Sequence, residues 1–553
     1  MKKLILLLQL VLIIAASDAI AQNNWQFTYT YTEGYTIYDL ASSSSPQWIV
    51  QDPLIPGNIH IILMTSPFND PAYSLRRSAY YFSSDRGVTW TYSGDVVNSK
   101  SGFPCLAVAS DGSAIVTQHV SSGMTVNTLV YKDAAPGLGS FSALGSPITN
   151  LMFGRICVTS NYSLPVKVVF MGSPLGTDTV LRKTFGTAWS SSGFVCNSTP
   201  EAYTMAKGTD GRIGITYIDR NLNSGDYGSV FFMESANNGL NFSTPLKIFN
   251  PNPADSLSAY RGISIAYKNN SACVTFEVAN QELSSELLIK APAKIMFWNP
   301  QLPGSDPNKS IAIAHKNNVW IPSPDSIKTG VNDQFTTLCR PVIGVSSDNN
   351  IIYVAFQVFT NKWGGSTDLT NYKALYITRA ESDLTFSAPV KITPDSPLRD
   401  WSYPSISPWN EAVGYLEYAY ICALSDSVPG TFVNSNANGQ SAAKLYFIKA
   451  KYIQVGIEKI NETAETFQLS QNYPNPFNPV TTIEFSVPKP GTVSLKVYDM
   501  NGREAVVLLN GNRLQPGKYL QSLNGEGLSS GVYFYSMIFN GKVIDTKKMI
   551  LVK

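Results

Sequence analysis

Seven times along this chain an apolar run enters a polar turn and leaves it as a second apolar run, and no other feature limits the possible folds so tightly. The first runs and their turns are Trp48-Ile49-Val50-Gln51-Asp52, Leu106 to Gly112, Ile156 to Asn161, Thr204 to Gly211, Ile263 to Asn269, Val342 to Asp348 and Ile406 to Asn410. The turn residues Asp52, Asp111, Asn161, Asp210, Asn269, Asp348 and Asn410 are 59, 50, 49, 59, 79 and 62 residues apart. A recurring interval of this size marks a repeat architecture, in which one unit cannot bury its apolar faces without a neighbour.

Strands such as Ala114-Ile115-Val116, Ile213 to Tyr217 and Ile352 to Phe356 follow the turns, so each unit opens with a hairpin. A second pair comes later, clearest where Ala79-Tyr80-Tyr81-Phe82 meets a turn before Trp90. Four short antiparallel strands per unit of roughly 40–60 residues are the pattern of a propeller blade. The sequence therefore predicts an all-β chain with a seven-bladed β-propeller over residues 22–454. Six blades are the alternative, because the third unit is thin.

Charged residues make up only 14% of the chain, against roughly 25% in ordinary globular proteins. The surface must then carry uncharged polar and aromatic groups, and the 29 Tyr fit this. A net charge of +2 without a Lys/Arg cluster excludes the positive field that nucleic acids require.

One turn has a more specific signature. Ser83-Ser84-Asp85-Arg86-Gly87-Val88-Thr89-Trp90 resembles, at every defining position, the Asp-box (BNR) hairpin of sialidase-like propellers. Asp85 is suited to accept N–H groups of its own turn, Gly87 to take positive φ, and Trp90 to return over the blade edge. Decayed copies stand at Ser235 to Phe242 and Ser382 to Phe386, each continuing into a similar run, Phe242-Ser243-Thr244-Pro245-Leu246-Lys247-Ile248 and Phe386-Ser387-Ala388-Pro389-Val390-Lys391-Ile392. In families with this hairpin it lies at the blade periphery, so the resemblance implies a structural role for Ser83, Asp85, Gly87 and Trp90.

The same resemblance suggests a sialidase-like exo-glycosidase, whose three arginines grip a substrate carboxylate by bidentate forks beside a Tyr/Glu nucleophile and an Asp acid/base. Arg155, Arg261 and Arg340 precede the first strands of three units and are the candidate triad. Against it, the Arg-Ile-Pro-like motif of those enzymes is replaced by Arg76-Arg77-Ser78, and no Tyr/Glu pair can be matched. Exposed aromatics on loops, Trp320 and Trp363, offer a second class of ligand contact. The reading that follows is a non-catalytic binding or adhesion module for an extracellular glycan or protein, with the glycosidase as alternative.

Other chemistries lack their residues. His60, His119 and His315 fall in separate units without metal-ligand spacing, and no nucleophile elbow, phosphate loop or dinucleotide fingerprint occurs. Asp111-Gly112 and Asp210-Gly211 have ligand types that suit Ca²⁺, yet tight turns select the same residues. No cofactor is expected. Cys105, Cys157, Cys196, Cys273, Cys339 and Cys422 allow three bridges in any of 15 connectivities, or six buried thiols.

Both ends carry export signals. Lys2-Lys3, an apolar run from Leu4 to Ala16 and the small residues Ala19 and Ala21 form a signal peptide over residues 1–21, too short for a membrane span. The mature chain is expected to have no transmembrane segment. At the other end Phe467 to Pro479, Val497 to Arg503, Ser530 to Tyr535 and Lys548-Met549 together resemble the type A C-terminal sorting domain of type IX secretion cargo. That resemblance covers 466–553 and implies a small β-sandwich, recognition by the type IX machinery after passage through the periplasm, and release outside or attachment at the outer-membrane surface. Residues 455–465 read as a linker.

Overall fold

The structure is a computed structural model. It describes residues 25–553 except 38–46, 68–69, 71, 123–124, 160–166, 175, 178, 200–201, 252–255, 281–292, 304–308, 324–325, 329–335, 363–369, 382, 414–415, 430–440, 454–456 and 462–463. The expected signal peptide, Asn161 and Trp363 thus lie outside the described residues. All described elements are β-strands, as the alternating apolar pattern requires. The chain divides into two compact units, the larger built on 27–412 and 418–451 and the smaller on 452–553.

Among the described residues the larger unit holds seven small sheets in chain order. Sheet 1 comprises Ile49–Gln51, Ile59–Thr65, Arg77–Ser83 and Thr91–Asp95, hydrogen-bonded in that order. Sheets 2 to 6 span 101–149, 152–197, 203–249, 258–314 and 338–391, the last with Trp409–Asn410 added parallel to its first strand. Sheet 7 differs: Asp400–Ile406, Leu416–Asp426 and Ala443–Ile453 are completed by Trp25–Thr36 from the start of the chain. Thr32 Oγ1 donates to Leu445 O across that seam at 3.1 Å.

The first strands of successive sheets abut. Leu106 N–H donates to Gln47 O at 2.9 Å, Ile343 N–H to Ser264 Oγ at 3.3 Å and Val345 N–H to Pro408 O at 3.0 Å. From the last sheet back to the first, Ser405 Oγ and Ser407 Oγ accept the N–H groups of Trp48 and Gln51, both at 2.9 Å. One apolar core runs through sheets 7, 1 and 2, with Trp48, Ile61, Tyr80, Leu106, Tyr403 and Phe447 among its members. Strands covered on both faces bury every residue, as Leu338–Ser346 and Ile352–Phe359 do. The outermost strand Thr91–Asp95 buries none of its residues fully.

The smaller unit pairs two four-stranded sheets. Its core includes Phe477, Ile483, Phe485, Leu495, Val497, Tyr535 and Met549. Residues 455–465, read above as a linker, contain the strand Ile457–Asn461, which joins this unit by pairing with Gly517–Asn524. All six cysteines are buried free thiols, so none of the 15 bridge patterns is present.

Candidate functional site

A recurring irregularity of the first strands positions the predicted arginines. In sheets 2, 3, 5, 6 and 7 the pairing of the first two strands slips, between Gly102 and Cys105, Met152 and Arg155, Ala259 and Ile263, Cys339 and Val342, and Ser402 and Ser405. In four of these bulges a bulky residue takes positive φ: Phe103 (53°), Phe153 (55°), Arg340 (53°) and Tyr403 (53°). Non-glycine residues rarely adopt this conformation, so surrounding bonds must hold it. The bonds come from the second strand of the preceding sheet. Met64 Sδ accepts the Phe103 N–H at 3.3 Å, His119 Nε2 that of Phe153 at 2.5 Å, Glu277 Oε2 that of Arg340 at 2.6 Å and Gln357 Oε1 that of Tyr403 at 2.7 Å.

These clasps fix the electrostatics around them. Burial pushes the His119 imidazole down to about 3, helped by Arg76 and Arg155, so it remains a neutral acceptor. Glu277 also accepts the Gly262 N–H, and burial raises its carboxyl while Arg340 and Arg261 oppose that rise. The structure therefore brings Arg261 and Arg340 to one buried carboxylate. Arg340 also stacks 4.5 Å over the Tyr403 ring. Arg155 has other company, lying 5.7 Å over Tyr203 and near Cys105 and His119. The three arginines also hold unlike backbone positions, Arg340 at its bulge and Arg155 two residues past the positive-φ residue Phe153.

The first strands of sheets 2 to 7 line a common cavity with Gln47, to which they contribute Cys105, Arg155, Ile156, Thr204, Met205, Ser264, Ile265, Val342 and Ile406. Its volume of about 20 Å³ admits one water-sized occupant and no sugar ring.

Ser83 to Trp90 lies at the opposite strand ends. Ser83 Oγ donates to Asp85 Oδ1 at 2.8 Å and accepts the Gly87 N–H at 2.9 Å, while Asp85 accepts the Thr89 N–H at 2.9 Å. Gly87 has φ +79°, and a Cβ there would stand 2.1 Å from Phe447 of sheet 7. Trp90 packs on that same ring at 5.1 Å. The copy in sheet 4 repeats the bonds with Asn237 in place of the aspartate. In sheet 6 the closing Phe386 packs 4.8 Å from Phe297 of sheet 5. Each hairpin thus fastens its sheet to the preceding one. Sequence reasoning missed a fourth such turn, where Asp133 accepts the N–H groups of Gly139 and Ser140 and Phe141 packs 5.3 Å from Tyr80. Its longer loop hides the spacing.

On the bulge side, a cleft of about 200 Å³ opens beside sheets 6 and 7. Trp320, 55% exposed, lies on its wall with Lys362, Tyr376, Lys391, Arg399 and Trp401. Lys373, also in the lining, pairs with Asp400 beneath it at 2.9 Å, both side chains buried. Lys391 and Lys362 converge on exposed Asp395 at 2.5 and 3.3 Å and hold its carboxyl below the usual range, Lys391 more strongly. Trp401 is 3% exposed and packs on Tyr446 at 5.3 Å, yet its buried indole N–H has no acceptor among the described residues. Of these residues only Trp320 was legible as a contact; Trp363 lies outside the described residues.

The smaller unit shows why its signature residues recur as a block. Tyr535 Oη receives the Asn472 N–H and donates to Ser470 O, both at 2.7 Å, and Asn475 Oδ1 accepts the Ile550 N–H at 2.9 Å. The Asn-Pro-rich entry is thereby tied to strands from the far end of the chain. Residues 471–553 match the family of secretion system C-terminal sorting domains. This sorting domain makes the chain a type IX cargo, secreted or held at the outer-membrane surface. Among the described residues no helix is long and apolar enough to cross a membrane.

No curated protein matches this chain. Among solved structures it is similar to polysaccharide lyase Uly1, with 10% identity over 78% of this chain and 94% of that one, at a TM-score of 0.42. A mutant of Trypanosoma rangeli sialidase displaying trans-sialidase activity gives 10% identity, 98% and 91% coverage and 0.35. An exo-β-1,3-galactanase from Phanerochaete chrysosporium gives 10%, 95% and 100%, and 0.31. Likenesses this distant assign no residue a role.

Proposed function

We propose that the larger unit is a seven-bladed β-propeller with Asp-box hairpins and acts outside the cell as a non-catalytic binding module for an acidic polysaccharide. Seven sheets in series, first strands lining one cavity and bonds from the last sheet back to the first support the architecture. The observation carrying the ligand assignment is the Trp320–Trp401 cleft, where the exposed Trp320 indole and the cationic Lys362, Lys391 and Arg399 line one open volume with Trp401, whose buried N–H has no acceptor among the described residues. Aromatic faces suit sugar rings, and cations select carboxylate or sulfate substituents.

Binding of the purified chain to an array of neutral, uronate-bearing and sulfated glycans tests this reading. Selective retention of acidic glycans is expected, weakened more than tenfold by Trp320→Ala and several-fold by Trp401→Phe, which keeps the ring and removes the donor. Binding untouched by both variants places the ligand elsewhere. The glycosidase reading requires Arg155 to act with Arg261 and Arg340; turnover of fluorogenic sialosides that is lost on Arg261→Ala reverses the assignment.

A further inference from the structure

Arg155 is 5% exposed and lines the axial cavity. Its Nη1 donates to Gly154 O at 3.1 Å, whereas Nε and Nη2 are buried without an acceptor among the described residues. Among the described residues no ion pair includes Arg155. The titratable groups around it do not neutralise it. His119 is uncharged, Tyr203 offers a ring face, and Cys105 is a fully buried thiol that burial pushes upward, away from the thiolate. Arg76 nearby adds a second positive charge to the same surroundings.

An isolated cation out of water is costly, and a guanidinium cannot escape by losing its proton. Arg155 lines a cavity with room for one water-sized guest, and two of its donor atoms are left for such a guest to satisfy. Thr204 and Ser264 share that lining, and Ser264 Oγ already accepts the Ile343 N–H, leaving its own proton to donate.

We propose that the axial cavity is a binding site for a single monatomic anion of the halide class, held by Arg155 Nε and Nη2 with the hydroxyls of Ser264 and Thr204. The anion supplies the missing counter-charge at the point where the first strands of six sheets meet, and so links ionic composition outside the cell to the stability of the unit. This role is independent of the glycan cleft. Uronates and sulfate esters are too large for the cavity.

Thermal unfolding of the full chain at fixed ionic strength, with chloride replacing gluconate, tests the site. Because a ligand that binds only the folded state raises stability with its concentration, Tm should climb by roughly 2 °C between low and ~100 mM chloride. Arg155→Met should remove that dependence while leaving glycan binding at the Trp320–Trp401 cleft intact. If the variant does not fold, crystals of the unaltered chain soaked in bromide decide the matter through anomalous scattering. A peak within hydrogen-bonding reach of Nε and Nη2 supports the assignment. A chloride-independent Tm, or a water with no bromide peak there, overturns it.

Discussion

The two ends of the strands in the larger unit fasten each sheet to its neighbour by contrasting means. At one end, backbone bulges are held by Met64, His119, Glu277 and Gln357, buried acceptors with no common chemistry. At the other, turns such as Ser83–Trp90 and Ser235–Phe242 use half-exposed Asp85 or exposed Asn237 and an aromatic ring. Where water is excluded, any acceptor that satisfies the N–H serves, but losing it is expensive. Where water competes, one residue pattern recurs and each bond matters less.

The largest effect should come from Glu277→Leu. It leaves the Arg340 and Gly262 N–H groups unpaired and strips the carboxylate from beside Arg261 and Arg340, at a cost of about 3–5 kcal/mol in urea unfolding. An effect below about 1 kcal/mol would mean that water enters the bulge end freely. Gly87→Ala tests the turn end where it is tightest: positive φ and the Phe447 ring together should cost roughly 2–4 kcal/mol.

His119 separates the two ends by pH. Its folded value near 3 lies below the ordinary 6.5, so its contribution is complete above pH 6.5 and is lost as the pH falls from 6.5 toward 3. In that window stability should drop by about 1.4 kcal/mol per pH unit for this group alone. His119→Gln, which keeps an acceptor as Gln357 does, should flatten the slope by that amount in denaturant midpoints measured at several pH values. The smallest change belongs to Asp85→Asn, already present in the sheet 4 hairpin; a loss of less than about 1 kcal/mol is expected, and a larger one would show that the charge itself matters.

This contrast also explains what could be read in advance. Asp52, Asp111, Asp210, Asn269 and Asp348 announced their hairpins because apolar runs flank them and turns restrict residue choice. The bulge acceptors share a place opposite a slip in register, and no residue type marks that place. A weak trace existed in Phe103-Pro104, Arg340-Pro341 and Tyr403-Pro404, since proline is tolerated inside a sheet chiefly where a bulge frees its position from the ladder. The arginines were visible as residues, but which of them share a carboxylate depends on pairing between distant strands. Trp401 was hidden for a similar reason. Its neighbours Tyr29 and Tyr446 come from strands separated by most of the chain.

Completion of sheet 7 by Trp25–Thr36 gives the molecule an order of assembly. The earliest strand has a berth only once Ala443–Ile453 is in place, so sealing the unit requires closure of its longest loop, with the entropic cost that carries. A chain cut anywhere before that berth keeps an unsealed edge.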